Sequence, residues 1–196
     1  MATAELFISP VPEEISEDTL QELFLQLPSW RLEKALSYRR PLDRFLCAKA
    51  YLLLKEGLSK LYGISGNPDF TYGPAGKPFL EKYPSIHFNI SHCPSCVCCA
   101  ISSSEVGVDV ETIQYDPELA ASVFNASEQE SIDAPENPDI EFTRLWTMKE
   151  SFLKLTGEGL CDDLRNLLCS AGLPAFRTSV SPEGRYVLTV ACHKEK

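Results

Sequence analysis

Two stretches of this chain carry side chains whose types and spacing suit chemistry. The first is Gly107-Val108-Asp109-Val110-Glu111. On a strand, alternate side chains share a face, so Val106, Val108 and Val110 turn into a core while Asp109 and Glu111 project together from the other side. Two carboxylates so placed, with no His or Cys beside them, are hard oxygen donors of the kind Mg²⁺ takes together with water and phosphate oxygens. The same alternation also describes an amphipathic strand with its polar face in water. The second stretch is Trp146 to Leu160, W-T-M-K-E-S-F-L-K-L-T-G-E-G-L. At helical spacing Leu145, Met148, Phe152 and Leu155 make an apolar stripe, and Trp146, Glu150 and Lys154 stack at steps of four along a neighbouring face. Gly157 and Gly159 end the helix, because glycine takes the positive φ a helix terminus wants. Glu150 and Lys154 read on their own as an exposed ion pair worth a few tenths of a kcal/mol. If the helix packs on the strand, Asp109, Glu111, Glu150 and Lys154 together can grip a metal-bound diphosphate and steady the charge on a departing phosphate.

Upstream, Gly76-Lys77-Pro78 and His87-Phe88-Asn89-Ile90-Ser91-His92 add polar groups beside glycine and proline. A hydroxyl and an imidazole at adjacent turn positions, Ser91 and His92, suit a further phosphate. A nucleophilic Ser91–His92 pair is a poorer idea, since neighbours in sequence rarely point at each other and no third residue orients the base.

These residues must be held by a folded scaffold, and the composition supplies one. The 196 residues are 44% hydrophobic and 23% charged, as in an ordinary globular protein. No run of eighteen apolar residues occurs, so no membrane span is expected. Met1 to Pro12 has no basic leader and carries Glu5 within its apolar stretch, which points to the cytoplasm. A formal charge of −10 argues against nucleic-acid binding. The charge is also polarised: eight Lys and Arg and three acidic residues lie between Arg31 and Lys60, whereas Tyr83 to Thr143 has eleven acidic residues and no Lys or Arg. Such polarity suits a ligand with anionic groups at one end and a divalent cation at the other, or merely two solvated surfaces. Among the eight cysteines, Cys93, Cys96, Cys98 and Cys99 form a cluster that invites a zinc or iron–sulfur reading, but no second ligand pair completes it. Cys96, Cys98 and Ala100 alternate with Val97, Cys99 and Ile101, as in a buried strand. Disulfides are not expected in the cytoplasm.

The pattern predicts strands over Glu5–Ser9, His87–Ile90, Cys96–Ser102 and Val106–Glu111, and a terminal hairpin of Ala175–Val180 with Arg185–Cys192. Helices are expected over Ser16–Leu27, Leu32–Tyr38, Leu42–Glu56 (closed by Gly57), Leu119–Phe124, Ser127–Ile132 and Phe142–Thr156. Gly63 to Lys82 reads as a loop with at most one short strand, and Ser91 to Ser95 as a turn. The fold class is α+β, with two halves, residues 1–104 and 105–196, each combining helices with a small, mostly antiparallel sheet.

Gly76–Pro78, Phe88–His92, Gly107–Glu111 and Trp146–Leu160, in this order and at these gaps, resemble the surfactin-type 4′-phosphopantetheinyl transferases. The match covers roughly Arg31 to Leu160. The resemblance implies two similar halves related by a pseudo-twofold axis, with coenzyme A in the cleft between them. It implies Mg²⁺ held by Asp109, Glu111 and Glu150 together with the diphosphate. Lys154 would contact the departing phosphate, and Lys149 lies in the same motif. Ser91 and His92 match a pair that meets the 3′-phosphate. Lys77 and Pro78 lie beside the adenine nucleotide, and Arg44 fits an early phosphate-binding arginine, with Arg31 and Lys34 as looser candidates. The implied reaction moves the 4′-phosphopantetheine arm to a serine of an apo acyl or peptidyl carrier protein. Glu150, or Glu111 through water, takes the serine proton. The protein is expected to act as a monomer, docking its acidic carrier through apolar contacts from Ile113, Tyr115, Leu119 and Phe124. A binding module without turnover, and a metal protein built on the cysteines, are the competing readings.

Overall fold

Two long helices, over Pro41–Tyr62 and Pro138–Thr156, each back a small antiparallel sheet, and the two sheets face each other. The computed structural model describes residues 4–134, 136–157, 159, 164–169 and 172–194. Glu158 and Leu160 of the second chemical stretch lie outside them. No helix among the described residues is long and apolar enough to cross a membrane.

The first sheet has the order β1-β5-β4, built from β1 (Glu5–Pro10), β4 (His87–Cys93) and β5 (Cys96–Ser102). Between β1 and β4 run α1 (Glu17–Phe24), α2 (Ser29–Ser37), α3 (Pro41–Tyr62) and a hairpin of β2 (Phe70–Tyr72) with β3 (Pro78–Leu80). Ser16 caps α1, its hydroxyl accepting the Thr19 N–H at 3.1 Å. Helix α3 does not stop at Gly57; it runs on to Gly63, which takes φ +65°. Gly57 is there for close approach, since a Cβ would strike Ile101 Cδ1 and the Phe7 ring. The expected single strand within 63–82 is a two-stranded hairpin. The expected turn at Ser91 is also corrected: β4 continues through Ser91 and His92 to Cys93, leaving Pro94 and Ser95 as the turn.

The second sheet has the order β6-β8-β7, from β6 (Val106–Thr112), β7 (Ala175–Val180) and β8 (Tyr186–Cys192). Helices α4 (Pro117–Val123), α5 (Ala126–Asp133) and α6 (Pro138–Thr156) follow β6. Asn125, not Ser127, starts α5, through a capping box with Glu128. The architecture is α+β, as the sequence predicts.

The cysteine alternation has a clear structural meaning. Val97, Cys99 and Ile101 join the core under α3. Cys96, Cys98 and Ala100, on the opposite face of β5, pack against Val106, Val108, Val110, Leu188 and Val190 of the second sheet. The cluster is the seam between the sheets, and its thiols are free. Among the described residues no three His, Cys, Asp or Glu side chains converge as a ready-made metal cage.

Helix α6 lies across β6 and β8 on small side chains as well as on part of the predicted stripe, whose Leu145 and Leu155 are buried. Thr147, Ser151 and Leu155 are fully buried, while Met148 and Phe152 are only half-buried. Thr147 Oγ1 is 2.8 Å from Thr189 Oγ1 of β8. At Gly107 a Cβ would collide with the Ser151 carbonyl oxygen and the Leu155 nitrogen, so helix backbone rests directly on strand backbone. Phe124 is also corrected: it is 1% exposed in a core with Phe142 and Ile132, so it cannot meet a partner, whereas Tyr115 is exposed.

Candidate active site

Strand β6 pairs with β8 on one side, Asp109 opposite Thr189. On the other side it meets β4 through side chains instead of a backbone ladder. The Val108 N–H donates to Asn89 Oδ1 at 2.9 Å and the Val110 N–H to Ser91 Oγ at 3.4 Å. This junction brings the Ser91 hydroxyl to Asp109, donating to Oδ1 at 2.8 Å. The close seating of α6 over Gly107 then places the Lys154 ammonium 2.5 Å from Asp109 Oδ1 and 3.1 Å from Ser91 Oγ. Lys154 thus pairs with Asp109 and not with Glu150, one turn away on its own helix.

Asp109 is 1% exposed, and its Oδ2 has no hydrogen-bond partner among the described residues. Burial pushes the Glu111 carboxyl up to about 7, with Asp109 and Glu150 adding repulsion and Lys154 opposing it. Burial likewise raises Glu150, with Asp109 adding and Lys154 opposing. Three carboxylates therefore feel one another around a single ammonium. An orphaned buried carboxylate oxygen and this surplus of negative charge fit a divalent cation among hard oxygen donors.

A groove leads away from these acids. A cavity of about 290 Å³ lies between Ala75–Pro78 on one wall and Glu150, Leu153, Lys154 and Gly157 on the other, with Asn89 also in its lining. Gly76 and Pro78 also line a second cavity with Trp30, Tyr51 and Phe70, whose rings meet edge to face at 5.4 to 6.5 Å. That cavity shares Arg31 and Lys34 with a third, where they face His92. The groove thus runs from acids to cations. Partial burial lowers the His92 pKa, and Lys154 and Arg31 lower it further.

The sequence-based site residues are not all gathered here. Ser91 and His92 point to opposite faces of β4, Ser91 to Asp109 and His92 to the cationic end, so they do not act as a pair. Lys77 and Pro78 line the groove. Arg44 lines none of these cavities; its Nε–H donates to the Tyr38 carbonyl at 2.9 Å. The looser candidates Arg31 and Lys34 line the second and third cavities, and Arg31 Nε is buried without a hydrogen-bond partner among the described residues. Lys149 is turned away altogether. It is 0% exposed, 2.9 Å from Glu128, and donates to the Leu164 carbonyl at 2.7 Å. It holds α5 and the 164–169 segment to α6 rather than a ligand. Asn89 escaped the sequence reading; the available signal was an amide in a strand flanked by Phe88 and Ile90.

An α+β scaffold with paired carboxylates on a strand, and a third with a lysine on a helix across it, has the donors that a metal-bound phosphate ligand needs. Comparison with known proteins makes that specific. The model of the 4′-phosphopantetheinyl transferase superfamily matches residues 105–194. The 4′-phosphopantetheinyl transferase gsp of Aneurinibacillus migulanus is 31% identical over 160 residues, 80% of this chain and 67% of that protein. The psf-1 transferase of Bacillus pumilus is 37% identical over 122 residues, 61% of this chain and 48% of its own length. Sfp of Bacillus subtilis strain 168 is 32% identical over 145 residues, 65% of this chain and 64% of that protein. This chain belongs to the 4′-phosphopantetheinyl transferase superfamily. Its match spans about half the length of the Bacillus pumilus relative.

Proposed function

We propose that the chain transfers the 4′-phosphopantetheine arm of coenzyme A to a serine of an apo acyl or peptidyl carrier protein. The serine oxygen bonds to the phosphorus that carries the pantetheine arm. The bridging bond of the diphosphate breaks, and adenosine 3′,5′-bisphosphate leaves. The observation that carries this reading is the Asp109–Ser91–Lys154 network, set among Glu111 and Glu150 at the acidic end of a groove whose far end is cationic.

Each residue has a duty in this reading. Asp109, Glu111 and Glu150 would hold Mg²⁺, which supplies positive charge against the diphosphate. Lys154 stabilises the phosphate that departs. Glu150 or Glu111, both raised above the ordinary carboxylate range by burial, accepts the serine proton. Ser91 fixes Asp109 and Lys154 in register. Arg31, Lys34 and His92 take the 3′-phosphate, and Pro78 with the Trp30–Phe70 cavity takes the adenine. The same reading divides the chain at 104/105 into halves related by a pseudo-twofold axis, in a cytoplasmic monomer.

Mass spectrometry of an apo carrier incubated with this protein, coenzyme A and Mg²⁺ tests the proposal. The carrier gains the arm with the wild-type chain and not with Glu150→Gln or Asp109→Ala. A wild-type chain that modifies none of several unrelated carriers would overturn it.

A further inference from the structure

The Lys77 ammonium does not point along the groove. It donates to the Leu155 carbonyl at 2.8 Å, in the last turn of α6, with the Val106 carbonyl at 3.5 Å. Carbonyls at a helix C-terminus lack intrahelical partners and carry partial negative charge, so a cation there is well placed. Its stem crosses Gly157: a Cβ on that glycine would lie 2.8 Å from Lys77 Cδ. Burial lowers the Lys77 pKa, as expected for an ammonium enclosed by two chain segments. Lys77 belongs to the loop of the β2–β3 hairpin, whose Gly73 N–H donates to the Lys77 carbonyl at 2.9 Å. That loop supplies Gly76 and Pro78 to two adjoining cavities of the groove. The opposite wall of the first cavity is α6, with Glu150 and Lys154.

We propose that Lys77 is a positioning residue: its ammonium fastens the β2–β3 hairpin to the C-terminus of α6 and so sets the width of the groove in which coenzyme A lies. The inference rests on the transferase reading for its ligand, while the tether itself does not. Among the described residues the hairpin meets the end of α6 through this polar contact and the approach of Ala75 to Gly159, not through a sheet, so losing the ammonium loosens one wall of the groove and leaves the acids in place.

The test compares Lys77→Met, which keeps the stem and removes the donors, with Lys77→Arg, which keeps a donor. Hydrogen exchange on the ligand-free protein is the first arm. Amides of residues 73–80 exchange roughly ten-fold faster in Lys77→Met than in wild type, and Lys77→Arg recovers most of the protection. Steady-state kinetics is the second arm. Lys77→Met raises KM for coenzyme A by more than it lowers kcat, and by the same factor for dephospho-coenzyme A. Unchanged exchange in the ligand-free hairpin overturns the proposal, as does a KM effect confined to the 3′-phosphorylated substrate, which marks a direct anion contact. Wild-type protein with no transferase activity defeats the transferase reading alone, because the exchange arm needs no turnover.

Discussion

Asp109 is a carboxylate almost out of reach of water, and Lys154 and the Ser91 hydroxyl meet the same one of its oxygens. Asp109→Asn leaves that ammonium without its counter-charge. The expected cost is roughly 1–3 kcal/mol, discounted because Lys154 keeps some access to water, and urea denaturation reads it. Carrier modification falls at least roughly a hundredfold, read as kcat/KM. The acids also give a pH signature. Glu111 stands at about 7, above the 4.5 of an ordinary glutamate. Between those values the folded chain holds a proton that the unfolded chain has released. The metal-free protein therefore loses stability as pH rises through this window, and Glu150, also raised, adds to the slope. Thermal melts without metal from about pH 5 to about pH 8 follow it, and Glu111→Gln flattens it. Alternation and four-residue steps made Asp109, Glu111, Glu150 and Lys154 legible in the sequence. Their partners were not, because Ser91 reaches Asp109 across a sheet junction that no local pattern encodes. The two lysines of one motif were separable in principle: five residues place them about 140° apart on a helix, so Lys149 and Lys154 cannot serve the same face.

Two glycines act at the level of whole elements, and they differ in what they face. Gly107 meets the backbone of α6, which has no side chain to swing aside, whereas Gly57 meets the ends of Ile101 and Phe7. Gly107→Ala is expected to cost about 3 kcal/mol, and to lower activity as well, because α6 lifts Glu150 and Lys154 off β6. Gly57→Ala costs about 1 kcal/mol, since those side chains can shift and alanine favours the helix. Chemical denaturation of the pair measures the contrast. Most elements were legible from periodicity and caps, β5 and the terminal hairpin nearly residue for residue. The ending of α3 was not, because a glycine that permits close packing looks the same in a sequence as one that stops a helix. The buried face of α6 was only half legible for a related reason: Leu145 and Leu155 are buried as the stripe predicts, but a helix seated on a glycine also presents Thr147 and Ser151 to the sheet and leaves Met148 and Phe152 half-buried.

Across the whole molecule, charge is sorted by position along the chain and again in space. The basic stretch from Arg31 supplies the cationic end of the groove, and the acidic stretch after Tyr83 supplies the carboxylates. An anionic substrate is therefore drawn to one end, and added salt weakens that attraction. KM for coenzyme A rises with sodium chloride, and Arg31→Ala both raises it and flattens its salt dependence, as initial-rate measurements across ionic strengths will register. This polarity was visible in the sequence as a count, but not its geometry, since only folding sets α2 beside β4.

The seam between the sheets offers one more consequence. Cys96 and Cys98 are 0% exposed there, packed in one cluster with Val106, Val108, Val110 and Val190 of the facing strands. A maleimide can reach them only when the two layers separate. The alkylation rate of these two thiols, read by peptide mass spectrometry apart from the exposed Cys169 and the half-buried Cys192, thus serves as a clock for how often the two sheets part, and a nucleotide bound across both would make that clock run slow.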